Sequence, residues 1–104
     1  MLIKDPLGKI ILFPQGIPVQ GSDEYIDDAY DEFKTVVEYP ACIIEMPDTS
    51  KYYFRALGWN FNILVEVVYN ETAWEVVNCV INPGTTYIST LLKKGKFIPG
   101  CSID

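Results

Sequence analysis

The chain has 104 residues, of which 49% are hydrophobic, a net charge of −6 and no histidine. That length and apolar content suit one folded domain and exclude a disordered chain. The negative charge disfavours broad nucleic-acid binding, which draws on Lys and Arg, and the missing histidine removes the commonest general base and metal ligand.

Residues 1–13 are expected to form a lead-in strand or hairpin. Asp5-Pro6-Leu7-Gly8 is a turn signal, because Pro presets φ and Gly tolerates positive φ. Lys9-Ile10-Ile11-Leu12-Phe13 is a short apolar strand. Pro14, Gly16, Pro18 and Gly21 then interrupt regular structure as far as Ser22.

An acidic amphipathic helix is expected over 23–38. Ser22 or Asp23 can cap it, and Asp23, Glu24 and Asp27 sit where the positive helix terminus favours anions. Ile26, Ala29, Tyr30, Phe33, Val36 and Val37 follow helical spacing and need a sheet to cover them. Asp27, Asp28, Asp31, Glu32 and Glu38 fall mostly on the opposite side, and Pro40 ends the helix.

Four strand-like runs follow, at 41–46, 51–57, 61–69 and 73–82. Pro47-Asp48, Gly58 and Pro83-Gly84 punctuate them, and Asn70-Glu71-Thr72 reads as a hairpin turn rather than a glycosylated sequon. The short connections predict an antiparallel meander. Phe61, Ile63, Val65, Val67 and Tyr69 share one face, and Asn62, Leu64, Glu66 and Val68 the other. In the last run, strict alternation groups Trp74, Val76, Asn78 and Val80 against Glu75, Val77, Cys79 and Ile81. Both faces are largely apolar, as in central strands covered on at least one side. Tyr87 to Leu92 is a short helix or an extended segment, and the tail from about residue 97 is expected to be loosely held.

The expected fold is therefore a single α+β domain over 1–104, with an antiparallel sheet of about four to five strands and one amphipathic helix packed on a face. No apolar run reaches the ~20 residues of a membrane helix, so no membrane association is expected. No secretory leader is read at Met1–Pro6, which makes the cytoplasm the expected location. Cys42, Cys79 and Cys101 have no metal-ligand spacing, and Cys42 and Cys79 read as buried thiols. No cofactor and no metal site is expected: there is no P-loop, no dinucleotide-binding glycine pattern and no EF-hand spacing.

Three groups of residues carry candidate chemistry. Arg55, the sole arginine, sits beside Tyr52 and Tyr53 and offers a planar fork for an anion, or else an ion pair with Glu45 or Glu66. Lys93, Lys94 and Lys96 form the basic cluster. Six acids crowd residues 23–32, and Asp27, Asp28, Asp31 and Glu32 form a face for a basic protein partner.

The layout from about residue 5 to 98 resembles the superfamily of barnase, EndoU, colicin-type and RelE-like nucleases, in particular its small phage- and toxin-associated members. The resemblance is carried by Asp5-Pro6-Leu7-Gly8-Lys9-Ile10, Tyr39-Pro40-Ala41-Cys42-Ile43, Lys51-Tyr52-Tyr53-Phe54-Arg55, the Leu64–Val68 and Trp74–Val77 hairpin, and Lys93-Lys94-Gly95-Lys96-Phe97-Ile98. It implies metal-independent RNA cleavage, with Arg55 as the strand arginine, Tyr52 or Tyr53 in proton transfer and Lys93 or Lys94 supplying charge. Where many relatives carry a histidine this chain has Asp23-Glu24-Tyr25, and where many carry a late Thr or Tyr it has Asn78-Cys79-Val80. The expectation that follows is a degenerate site on a toxin-like scaffold: a noncatalytic protein-interaction module. A metal-independent endoribonuclease toxin, with RNA as its partner, and an acidic immunity or antitoxin-type binder are the alternatives. A homodimer through an exposed apolar sheet face or edge is also consistent with the pattern.

Overall fold

The N-terminal hairpin is organised by one carboxylate. In the computed structural model, which describes residues 1–23, 25–58 and 61–98 but not the side chains of Asp28 and Ala29, Leu2–Lys4 (β1) pairs antiparallel with Ile10–Leu12 (β2). Asp5 Oδ1 accepts from the backbone N–H of Leu7 at 3.0 Å and of Lys9 at 2.7 Å, which closes the Pro6–Gly8 turn. Gly8 takes φ of 92° there.

The chain then runs alongside the sheet as Val19–Gln20 (β3) and enters a 3₁₀ turn, Ile26–Ala29, that continues into Tyr30–Glu38 (α1). Phe33, Val36 and Val37 are buried, as their spacing requires. Cys42–Glu45 (β4), Lys51–Gly58 (β5), Phe61–Tyr69 (β6) and Trp74–Ile81 (β7) form the expected antiparallel meander. Thr85–Lys94 (α2) and Lys96–Phe97 (β8) complete the described chain.

The sheet is larger than four to five antiparallel strands. Among the described residues it holds eight strands in the order β1-β2-β7-β6-β5-β4-β8, with β3 also paired to β7. It is mixed, because β2 and β3 both run parallel to β7 along its outer edge. Strands of two or three residues carry no readable alternation, which is why β3 and β8 escape sequence reasoning. Pro14, Gly16 and Pro18 split one edge segment into β2 and β3 rather than removing it from the sheet. The meander alone left the donors and acceptors of β7 open on that side, and this segment satisfies them.

One helix is likewise replaced by two, one for each apolar face. α1 covers the face formed by Ile43, Tyr53, Ile63, Val65, Val67, Val76 and Cys79, together with Ile3 and Ile11. α2 lies on the opposite face, where Leu91 packs with Cys42, Ile44, Leu64 and Val80. Burying both faces removes apolar area worth ~25 cal/mol per Å² from water. The face assignment of β7 departs from strict alternation, since Val76 and Cys79 enter the same core while Val80 enters the other. The cause is a register shift opposite Glu66 and Val67, with Glu66 facing Asn78 and Val67 facing Val76.

Two turns and two buried cysteines are as expected. The Met46–Ser50 and Asn70–Ala73 segments are turns, with Thr49 and Glu71 at positive φ. Cys42 and Cys79 are buried, and burial pushes the Cys79 thiol up to about 12. Lys96 and Phe97 are paired to Glu45 and Ile44, and the Ile98 N–H donates to the Ile43 carbonyl. Glu24, Trp59, Asn60 and the tail at 99–104, including Cys101, lie outside the described residues.

Candidate functional site

Adjacent strand residues point to opposite faces, and this separates Tyr52 from Tyr53. Tyr53 is buried in the α1-side core, where its hydroxyl donates to Asp5 Oδ2 at 2.6 Å. Burial, reinforced by that bond and by the Asp5 charge, holds the Tyr53 hydroxyl well above the ordinary tyrosine range. The group cannot exchange protons with a substrate. It ties the hairpin turn to the centre of the sheet.

Arg55, two residues further along β5, shares the face of Tyr53. Its Nη1 donates to the Tyr39 carbonyl at 2.7 Å, just past the end of α1. α1 has no basic residue in its own last turn, so the sheet supplies the cation that its negative end favours. Neither Glu45 nor Glu66 takes the ion pair expected for Arg55. Glu45 Oε2 instead lies 3.3 Å from Nζ of the buried Lys51, whose ammonium also sits 4.2 Å from the Trp74 ring centroid.

Tyr52 faces α2. It lines an open cleft of about 400 Å³ with Met46, Pro47, Asp48, Ser50, Glu66 and Lys94. Tyr52 and Glu66 are direct cross-strand partners, and Glu66 in turn faces Asn78, so a polar row crosses three strands. Gln20 extends it, with Nε2 donating to Asn78 Oδ1 at 2.9 Å. Burial first and then the Glu66 charge push the Tyr52 hydroxyl well above the ordinary tyrosine range. Tyr87 of α2 is raised for the same two reasons, which places it within the field of the same carboxylate. Asp48 is held below the usual carboxylate range by the Ser50 hydroxyl and N–H, which donate to its Oδ1 at 2.6 and 3.0 Å. A second cleft of about 370 Å³ lies across Met46 and Pro47 and includes Glu45, Lys94 and Lys96.

The structure therefore brings Tyr52 and Lys94 to one cleft and keeps Tyr53 and Arg55 on the other face. Lys93 is exposed in the last turn of α2 and does not line that cleft. Of the acidic face, Asp27, Asp31 and Glu32 are exposed, and Asp27 Oδ1 accepts from the Gly16 N–H at 3.1 Å. The side chain of Asp28 lies outside the description. Among the described residues the ion pairs are Lys34–Glu38 and Lys51–Glu45, and neither uses these acids. Nor do the described residues bring together three or more His, Cys, Asp or Glu side chains able to hold a metal. No helix among them is long and apolar enough to cross a membrane.

Glu66 and Tyr87 were not selected as site residues from the sequence. The available signal was a carboxylate inside Leu64-Val65-Glu66-Val67-Val68, a run otherwise wholly apolar. Comparison with protein-family models, with curated proteins and with solved structures returns no match.

Proposed function

We propose that this chain is a noncatalytic protein-interaction module whose acidic surface takes a basic partner. The observation that carries the reading is the division of the candidate catalytic set. Arg55 is spent on the end of α1 and Tyr53 on Asp5, while Tyr52 and Lys94 open onto the opposite face. The exposed charge on the first turn of α1 is acid, Asp31 and Glu32, in a chain of net charge −6 whose exposed basic cluster, Lys93, Lys94 and Lys96, lies at the end of α2 and in β8. A cytoplasmic setting belongs to the proposal and agrees with the buried, unbridged thiol of Cys79. So does the nuclease-toxin-like scaffold, and an immunity or antitoxin-type role is one form such a module takes. Self-association through the β1–β2 hairpin, where Leu2, Leu7 and Ile10 are exposed, is a further form of it, read out by sedimentation.

The test uses an arginine- and lysine-rich polypeptide as probe. Binding is expected to weaken with salt and to fall when Asp31 and Glu32 are both changed to Lys. A charge-matched control, Glu71→Lys with Glu75→Lys, is expected to weaken it less. Equal losses in the two variants would remove the α1 face as the docking surface. Asp27 is left in place because it also holds the Gly16 N–H.

A specific observation favours a second reading, the metal-independent endoribonuclease. Tyr52, Glu66 and Lys94 line one cleft, which offers a proton acceptor, a hydroxyl and a cation without Arg55. Cleavage of RNA in EDTA, lost in Glu66→Gln, would establish it.

A further inference from the structure

We propose that the cleft between the β4–β5 turn and the last turn of α2 binds a guanidinium group, with the Glu66 carboxylate meeting the cation and the Tyr52 ring packing beside it. This rests on the binding-module reading and adds a second site for a basic partner, on the sheet face opposite α1, that takes an arginine side chain.

Four observations carry it. Glu66 lies at the centre of the sheet, on a strand whose neighbours in sequence are apolar, and its side chain is only half-exposed. Neither ion pair among the described residues uses it. A half-buried carboxylate outside any ion pair keeps acceptor positions open, out of a capacity of about four. The cleft has two carboxylates, Asp48 and Glu66, against the single ammonium of Lys94. Lys94 is exposed, so water screens its charge more than it screens that of Glu66.

The shape of the lining favours guanidinium over a simple ammonium. Tyr52 presents an aromatic surface next to the carboxylate, and Met46 and Pro47 supply apolar walls. A planar, weakly hydrated cation can stack on a ring while its N–H fork meets an acid, whereas an ammonium keeps more of its water. About 400 Å³ of open space admits one arginine side chain. The chain's own arginine is on the other face, bonded to Tyr39, so it cannot fill the cleft.

The experiment is an NMR titration of the whole chain with N-acetyl-arginine amide at low salt, followed at the amides of Tyr52, Glu66 and Lys94. Saturable shifts at these positions are expected, with Glu66→Gln binding about tenfold or more weakly. Lys94→Glu, a surface change that leaves the core untouched, is expected to tighten binding several-fold. Asp31→Lys with Glu32→Lys is expected to keep the titration intact, which separates this pocket from the α1 surface. No saturable shift in the wild type, equal binding by Glu66→Gln, or no tightening by Lys94→Glu would overturn the pocket. So would inorganic phosphate producing the shifts in place of the cation. Salt-sensitive partner binding that survives any of these results would leave the broader module reading standing.

Discussion

The Tyr53 hydroxyl donates to Asp5 Oδ2 at 2.6 Å inside the core, joining residues 48 apart in sequence. Asp5 is itself buried, and its other oxygen holds the β1–β2 turn through the Leu7 and Lys9 N–H groups. One carboxylate thus fixes a hairpin turn and anchors it to a central strand. Removing the phenol oxygen leaves that carboxylate short of a donor in a site closed to water. Tyr53→Phe is expected to lower stability by about 1.5–3 kcal/mol, read by chemical denaturation. A variant as stable as the wild type would show that water replaces the bond.

Arg55 is expected to behave as a structural residue. Arg55→Ala removes the donor to the Tyr39 carbonyl and the cation at the end of α1, at a cost of about 1 kcal/mol. Amide exchange should quicken selectively in the last turn of α1, from Thr35 to Tyr39. Uniform exchange across the chain would place the role of Arg55 elsewhere.

Gly95 is required by space. A Cβ there would lie 2.7 Å from Ile44 Cγ2 and from Met46 Sδ, and 2.9 Å from the Glu45 carbonyl oxygen. Two of these neighbours are side chains that can give, but the carbonyl belongs to β4 and cannot without moving the strand. Gly95→Ala is expected to destabilise by about 1–3 kcal/mol and to loosen β8 from β4. Faster exchange of the Ile98 amide, which donates to the Ile43 carbonyl, would report it.

Burial of phenols and a thiol sets the alkaline limit. Cys79, ordinarily near 9, is pushed up to about 12 by burial, and Tyr52 and Tyr53 are raised as well. Above those ordinary values the unfolded chain has lost protons that the folded chain keeps. The unfolded state then binds fewer protons, so stability is full below about pH 9 and falls as pH rises through the folded values. Denaturation midpoints from pH 7 to 12 should decline from about pH 9, more gently in Cys79→Ser after correction for its lower starting stability. In native protein at pH 8, Cys42 and Cys79 should resist a thiol reagent until unfolding exposes them.

How much of this could be read from the sequence depended on the length of each signal. The long runs 51–57, 61–69 and 73–82 carry enough alternation to specify the meander, and Phe33, Val36 and Val37 enough helical spacing to specify α1. β3 and β8 are set by the open edges of β7 and β4, which exist only once the meander has formed. The second helix was not part of the expected fold: it covers Leu64 and Val80, but in the 85–94 segment Leu91 alone is buried, too weak a stripe to distinguish from an extended segment. Reading Tyr52, Tyr53 and Arg55 as one cluster ignored the alternation that sends neighbours to opposite faces. Glu66 was visible as a charge in an apolar strand, while Tyr52, Tyr87 and Lys94 are brought towards it only by the fold.

The measurement that bears most directly on the noncatalytic reading is RNA cleavage by the purified chain in EDTA, with Glu66→Gln and Arg55→Ala alongside. The proposal predicts no cleavage above buffer by any of the three. Cleavage by the wild type that disappears in Glu66→Gln and persists in Arg55→Ala would contradict it and assign the α2-side cleft a catalytic role.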